Sequence, residues 1–415
     1  MRFLADLHLH SEYSRATSSH MTFDTLAAWA KIKGISLLGT SDFTHPEWRG
    51  RIRKELEPEG NGFFRRKRFG VPDDERVREF AAKPGEVHFV LSTELSFIYA
   101  KKEKTRRVHL LVLTGKWQSA QMLCRRLARK GNLAADGRPI FGMDAADLVR
   151  MAADVDPDCL VIPAHIWTPW FSLFGANSGF DSIDECFEEM APFIPALETG
   201  LSSDPRMTRR ISALDRFALI SNSDAHSPAN IGREANAFNT EFSYRGLREA
   251  IRLRDPSKFA YTIEFFPEEG KYYADGHRKC GVVLSPADVI RKGQLCPKCG
   301  GKLTPGVCSR IDRLADRSEK AAGKIGIPFR HMIPLREIIG EALGAGINTK
   351  TVQDAYFSLI REYGDEHFIL AELSENDLRR TKPERVGEGI IRARRGRVGI
   401  EPGYDGVYGR VRIFN

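Results

Sequence analysis

The chain has no long apolar run anywhere in its 415 residues. A membrane-spanning helix needs about 20 consecutive apolar residues, so none is expected. It has no Gly-x-x-x-x-Gly-Lys-Ser/Thr segment, and nothing points to ATP hydrolysis on a P-loop. Internal repeats and low-complexity tracts are absent too. Cysteine is scarce, at seven residues. Cys124, Cys159 and Cys186 lie scattered in apolar or helical surroundings and read as buried free thiols. Cys280, Cys296, Cys299 and Cys308 fall within 29 residues of one another. An odd count with a Cys-x-x-Cys and no secretion signal argues for metal rather than disulfides. Ligand-type residues begin at Asp6, which leaves no room for a signal peptide, and the expected compartment is the cytoplasm.

What is present is ordinary in bulk and unusual in placement. A hydrophobic share of 42% with 28% charged residues is that of a globular protein, and this length should hold two or three domains. Lys and Arg outnumber Asp and Glu by 63 to 55, for a net charge of +8, which mildly favours a polyanionic partner. Basic residues gather in Arg49–Arg68, Lys101–Arg107 and Arg392–Arg397. Any one run reads as a solvated face; three in a chain that also holds a candidate phosphoester site favour nucleic acid.

Over residues 1–255 short apolar strands alternate with amphipathic helices, the pattern of an α/β barrel, closed or partly closed. Strands are expected at Phe3–His10, Ile35–Thr40, Cys159–His165, Pro195–Thr199 and Ala218–Ser223. Val87–Phe97 and Val108–Leu113 should form a hairpin with Lys101–Arg107 at its tip. Thr22 can cap a helix that ends before Gly34, and a second helix is expected over Asp144–Ala153. Residues 256–312 exchange apolar strands for Tyr, Gly, Lys and Cys and read as a small module. From 313 to 415 the pattern is helical, with helices at Leu335–Leu343, Val352–Tyr363 and Asn376–Arg380, and a closing hairpin near Gly403–Phe414.

Asp6-Leu7-His8-Leu9-His10 and Asp224-Ala225-His226 stand over two hundred residues apart, each after an apolar run. Side chains alternate along a strand, so Asp6, His8 and His10 share one face. His8, His10, Asp42, His165, Glu198, Asp224 and His226 all finish or follow strands, and β/α barrels gather active residues at the carboxyl ends of their strands. Candidate ligands are His8, His10, Asp42, His45, Glu94, His109, His165, Asp224 and His226. They are too many for one ion and suit two or three divalent ions (zinc, manganese, iron or magnesium), with Glu94 as the bridge. Such clusters clamp the attacking and leaving oxygens of a phosphoester. Glu94 in an apolar strand would be costly to bury without a cation, and no cysteine adjoins these ligands to act as a thiolate nucleophile. Asp224, Glu94 and His226 are the expected catalytic residues.

These motifs together resemble the polymerase and histidinol phosphatase (PHP) family of multi-metal phosphoesterases, which implies a distorted (β/α)7 barrel. Many members carry Asp-His after the second strand. Here Phe43 follows Asp42, so that either His45 takes the place or Asp42 holds the third ion alone. Longer segments narrow the likeness: His10-Ser11-x-Tyr13-Ser14, Gly39-Thr40-x-Asp42-Phe43-Thr44-His45-Pro46-x-Trp48, Ala164-His165-x-x-Thr168-Pro169-Trp170, Ser221-Asn222-Ser223-Asp224-Ala225-His226-Ser227-Pro228 and Gly406-Val407-Tyr408-Gly409-Arg410 resemble endonuclease Q. That resemblance implies hydrolysis of double-stranded DNA on the 5′ side of a deaminated base (hypoxanthine, uracil, xanthine) or an abasic site. The alternatives are a small-molecule phosphatase and a catalytically idle DNA-binding scaffold. No clamp-binding peptide is evident.

His277-x-x-Cys280 and Cys296-x-x-Cys299 have the two-knuckle spacing of a closed structural zinc site, with Cys308 as a spare. A module this small cannot fold on apolar burial, so the metal is expected to be its core. Damage recognition takes a base out of the stack, and Trp167, Trp170 and Phe171, with Phe43 and Trp48 behind, are the candidates to line that pocket.

Overall fold

The computed structural model describes residues 1–68, 70–72, 74–81 and 85–414. Its centre is an 11-stranded mixed sheet. The strands that carry the site are β1 (Arg2–Asp6), β2 (Leu37–Gly39), β3 (His88–Lys101), β4 (Lys104–Thr114), β5 (Leu160–Pro163), β6 (Ala196–Glu198) and β7 (Ala218–Ile220). β1 pairs parallel with β2, and β2 parallel with β3. β4 lies antiparallel between β3 and β5. β6 and β7 form a parallel pair of their own. The ends of this series approach each other: Leu9 bridges Ala225 in parallel fashion just past β1 and β7, and the Ile166 amide donates to the Glu198 carbonyl just past β5. The sheet continues beyond residue 255. β8 (Ala235–Asn239) runs antiparallel to β1, and β9 (Phe259–Glu264) antiparallel to β8. Phe329–His331 adds a parallel edge.

The two-residue period of the strands sorts their side chains into two cores. Phe3, Ala5, Leu7, Leu37, Val90, Leu111, Ile162, Ala196 and Ile220 pack together on one face. Leu4, Leu38, Phe89, Leu91, Val112, Val161, Leu197 and Leu219 pack on the other, against helices such as Phe23–Lys33. Strands buried on both faces read as near-continuous apolar runs. Each fully buried large aliphatic side chain contributes about 1.5–3 kcal/mol before entropy is counted.

Several boundaries match expectation. The first helix follows Thr22, whose hydroxyl bonds Thr25 Oγ1 and caps no backbone amide, and stops at Gly34, in the left-handed conformation. Helix Ala145–Val155 is capped by the Asp144 carboxylate, which accepts from the Ala146 amide. Leu335–Leu343 and Lys350–Tyr363 are helical, and Gly399–Glu401 pairs with Arg410–Arg412 in the closing hairpin. The hairpin tip differs. Pairing runs out to Lys101 and Lys104, and Lys102 and Glu103 alone make the turn, both at positive φ (51° and 60°). Primed two-residue turns match strand twist, but no Gly or Asn marks this one. Strand β1 is shorter than expected, and His8 and His10 lie beyond it.

The basic runs are largely engaged within the fold. Lys101 pairs with Asp144 and Glu188, Arg66 with Asp24, and Arg51 with Glu12 and Glu55. Arg106 packs over Phe180 at 4.1 Å. Arg394 turns inward to donate to the carbonyls of Ile369, Leu370 and Leu373, and Arg395 pairs with Glu375. Among the described residues no helix is long and apolar enough to cross a membrane.

Candidate metal centre

The site is built where strands stop. Ser41, Asp42, His165 and Asp224 follow β2, β5 and β7 and hold φ of 56°, 37°, 29° and 47°. Left-handed backbone at a residue other than Gly costs on the order of 1–3 kcal/mol and persists only where its surroundings enforce it. Here hydrogen bonds do so. The Asp6 carboxylate accepts from the amides of Ser223 (3.1 Å) and Gly232 (2.9 Å), tying the Asp224 turn to β1. The Glu198 carboxylate accepts from the His165 amide at 2.8 Å.

Seven predicted ligands converge. His8, His10 and Glu94 form one group, His10, Asp224 and His226 a second, and Glu94, His109 and His165 a third, with ligand atoms in each group within 4.8 Å of one another. Glu94 joins the first and third: its Oε1 lies 2.8 Å from His109 Nδ1 and 2.9 Å from His165 Nε2, and its Oε2 lies 3.3 Å from His10 Nε2 and 3.6 Å from His8 Nε2. Asp224 Oδ1 is 2.9 Å from His10 Nε2 and 3.8 Å from His8 Nε2. His8, His10 and Glu94 are fully buried, whereas the side chains of Asp224 and His226 are 28% and 33% exposed. The open edge, where water and a substrate can enter, is therefore at Asp224 and His226.

The donor atoms suit cations. His8 Nε2, His10 Nε2 and Asp224 Oδ1 are buried yet make no well-formed hydrogen bond, and buried polar atoms are otherwise satisfied in folded proteins. Their mixed nitrogen and oxygen character fits zinc, manganese or iron. Burial would raise the Glu94 carboxyl, but His109, Arg138 and His8 outweigh it and hold Glu94 well below the usual carboxylate range. Burial also presses the His109 imidazole down to about 4, leaving it neutral near pH 7 with a lone pair to offer.

Two expected ligands stand apart from these groups. Asp42 Oδ2 is saturated by the Ser11 amide (2.8 Å), Ser11 Oγ (2.6 Å) and Ser14 Oγ (2.8 Å), and its Oδ1 faces His10 Nδ1 at 3.6 Å. His45 stacks on Tyr13 (4.3 Å between rings) at the start of helix Pro46–Glu55. Two further residues belong to the centre and escaped the ligand set. Both Glu198 oxygens lie 3.0 Å from His8 Nδ1, fixing that ring so that Nε2 faces Glu94. Arg138 Nη1 donates to Glu94 Oε2 at 3.0 Å. It reaches in from a loop whose Gly137 lies so close to Asp42 and Ser14 that a Cβ there would sit 2.3 Å from Asp42 Oδ2. The strand-end position of Glu198 was a usable signal; the Arg138 loop offered none.

Of the expected aromatics, Phe43, Trp48 and Trp167 are sealed in the core. Phe43 is fully buried, and Trp167 stacks on Phe174 and donates to Thr208 Oγ1. Phe171 packs on His109 (4.8 Å), and Trp170 is 39% exposed.

A second cluster gathers His277, Cys280, Cys296 and Cys299, again within 4.8 Å. Against the effect of burial, the amides of Lys298 and Cys299 draw the Cys296 thiol down to about 6, towards the thiolate that a metal needs. The apolar core here is four side chains: Val282, Leu284, Cys296 and Leu303. Cys308 lies outside the cluster, and burial pushes its thiol up to about 12.

Residues 334–397 match the family model described as the MJ0043 C-terminal domain. The chain is 34% identical over 255 residues to the MJ0043 protein of Methanocaldococcus jannaschii, a match covering 60% of this chain and 31% of that protein. It is 30% identical to YqxK of Bacillus subtilis over 99% of both chains. Its fold matches the crystal structure of the lesion-specific endonuclease PfuEndoQ from Pyrococcus furiosus with a TM-score of 0.85 and 32% identity, covering 99% of this chain and 95% of that one. It also matches an Endonuclease Q complex with a 27-mer duplex substrate carrying an abasic lesion at the active site (TM-score 0.84, 32% identity, 100% and 97% coverage). With this likeness spanning both chains almost end to end, the protein belongs to the endonuclease Q family.

Proposed function

We propose that this chain is a metal-dependent DNA repair endonuclease. It hydrolyses the phosphodiester 5′ of an abasic site or a deaminated base (hypoxanthine, uracil or xanthine) in duplex DNA and leaves a 3′-hydroxyl. The observation that carries this reading is the convergence of His8, His10, Glu94, His109, His165, Asp224 and His226 in three overlapping groups linked by His10 and Glu94, with unsatisfied donor atoms facing inward and one open edge. The relative solved on a duplex with an abasic lesion supports the choice of substrate. We read the seven strands β1 to β7 as a distorted PHP barrel, residues 256–312, beyond the β9 strand they give to the central sheet, as a module around one structural zinc, and 313–415 as a mainly helical unit that adds the edge strand Phe329–His331.

Two or three divalent ions would be held by those seven side chains, and when bound they would activate water and neutralise the phosphate. The chain's own residues do the rest. Glu198 and Asp6 fix the His8 ring and the Asp224 turn. Arg138 holds the Glu94 carboxylate. Asp224, whose Oδ1 turns in towards His10, would help to hold the attacking water at the open edge, and His226 beside it would complete the ligand set there.

Full-length protein is to be incubated with duplexes carrying one abasic site or one hypoxanthine, with manganese or magnesium. One nick 5′ of the lesion is expected, with Asp224→Ala at least about 100-fold slower, as for loss of a group acting on the reacting atoms. No nick by the wild type, or an unslowed nick by Asp224→Ala, rejects the proposal.

A further inference from the structure

Aromatic rings lead outward from the metal centre across three separate segments. Phe171 packs on His109 at 4.8 Å. Its neighbour Trp170 meets Tyr272, at the base of the cysteine module, edge-on at 5.2 Å. Lys271 lies between Tyr272 (5.6 Å) and Tyr408 of the C-terminal hairpin (5.8 Å). The path ends in solvent, with Tyr408 71% exposed.

Tyr408 is held on a fixed support. Tyr404 and Val407 exchange both backbone hydrogen bonds (2.9 and 2.7 Å) around Asp405 and Gly406, which have φ of 43° and 84°, the signature of a tight primed turn. The Asp405 carboxylate accepts from the Arg278 amide (2.6 Å) and Thr304 Oγ1 (2.5 Å), and the Gly406 amide donates to the Lys271 carbonyl (2.9 Å). The turn is thus bolted to the cysteine module on two sides. An exposed ring on a flexible tail loses entropy whenever it is used; this one is ordered beforehand, which lowers the cost of binding. Lys271, Arg278 and Arg410 give the patch the charge that phosphates require.

We propose that Tyr408, backed by Lys271 and the Trp170–Tyr272 pair, is a stacking wedge that enters duplex DNA beside the extruded nucleotide. This rests on the nuclease reading and adds how the helix is opened. A flipped nucleotide leaves a gap in the stack, and inserted side chains that unstack a step stabilise the opened form. The exposed tyrosine ring offers the flat surface for it, and the path of rings places that surface on the side of the metal centre towards the cysteine module.

The test uses the full-length protein and a duplex with one abasic site, 2-aminopurine on the adjacent nucleotide, and a methylphosphonate 5′ of the lesion to block cleavage. Wild type is expected to bind and to raise the 2-aminopurine fluorescence. Tyr408→Ala should bind about 5- to 150-fold more weakly, the range for losing one aromatic stack, and lose the fluorescence rise, while Tyr408→Trp restores both. On a single-stranded lesion oligonucleotide, where no helix needs opening, wild type and Tyr408→Ala should differ less than twofold. Circular dichroism and bound zinc verify that each variant is folded. A Tyr408→Ala protein with unchanged affinity and fluorescence on duplex, or one equally impaired on single strand, overturns the wedge while leaving the nuclease reading standing. Absence of binding by the wild type overturns both.

Discussion

Replacing Glu198 by Gln tests whether the site depends on residues behind the ligands. Three donors point at this carboxylate: His8 Nδ1, 3.0 Å from each oxygen; the His165 amide at 2.8 Å; and Asn222 Nδ2 at 2.8 Å. Gln keeps one acceptor oxygen and presents an NH2 in place of the other, so at least one buried donor loses its partner and faces another donor. A buried group left unsatisfied costs about 1–3 kcal/mol. Carboxylates that orient ligating histidines are worth about 10- to 100-fold in metal affinity, an energy of about 1.4–2.7 kcal/mol, so the two estimates agree. Equilibrium dialysis against manganese, with bound metal counted by mass spectrometry, should show Glu198→Gln binding about 10- to 100-fold more weakly at the His8 site. Adding Asn222→Asp, which turns the Nδ2 donor into an acceptor, should recover part of the loss. Metal affinity within twofold of wild type would refute the idea that Glu198 sets the His8 ring.

Arg138→Ala should slow lesion cleavage about 10-fold or more, because a hydrogen bond between charged groups is worth about 1.5–3 kcal/mol; equal rates at saturating metal would remove Arg138 from the site. Lys33 and Glu366 form a buried pair (2.6 Å) between helix Phe23–Lys33 and the C-terminal helices, and Tyr356 also donates to Glu366. Lys33→Met should cost about 3–5 kcal/mol by leaving a buried charge, with partial recovery in Lys33→Met/Glu366→Gln, both read by urea unfolding. Burial lowers the His367 imidazole to about 4, below its ordinary value near 6.5, and its Nε2 lies 3.2 Å from the Tyr261 hydroxyl. Between those values the unfolded chain binds a proton that the native one does not, so stability rises with pH across that window and falls on acidification. His367→Gln should flatten the slope of unfolding free energy between pH 4 and 6.5, and an unchanged slope would contradict the assignment.

The sequence made the site legible where chemistry contradicted burial. His8, His10, His165 and Asp224 stand out because each breaks an apolar strand at its end, and Glu94 because an isolated carboxylate does not belong inside one. The same signal cannot tell a ligand from its support. Asp42 and Glu198 occupy equivalent strand-end positions, and both spend oxygens on neighbouring N–H and O–H groups, while Asp42 Oδ1 keeps no hydrogen-bond partner. Arg138 sits in a loop without periodicity, so only the tertiary fold brings it to Glu94. Trp167 and Phe43 follow ligands in sequence, but adjacency along the chain says nothing about which way a side chain turns. The Lys102-Glu103 turn was missed because its positive φ values fall on residues that rarely adopt them.

The proposed reaction requires a cluster of cations held around Glu94. Crystals of the full-length protein soaked in manganese, with anomalous scattering recorded above the manganese edge, test it most directly. At least two peaks are expected among His8, His10, Glu94, His109, His165, Asp224 and His226, with Glu94 touching more than one, and a separate zinc peak among His277, Cys280, Cys296 and Cys299. A site around Glu94 without anomalous density at saturating manganese would contradict the metal-dependent reading.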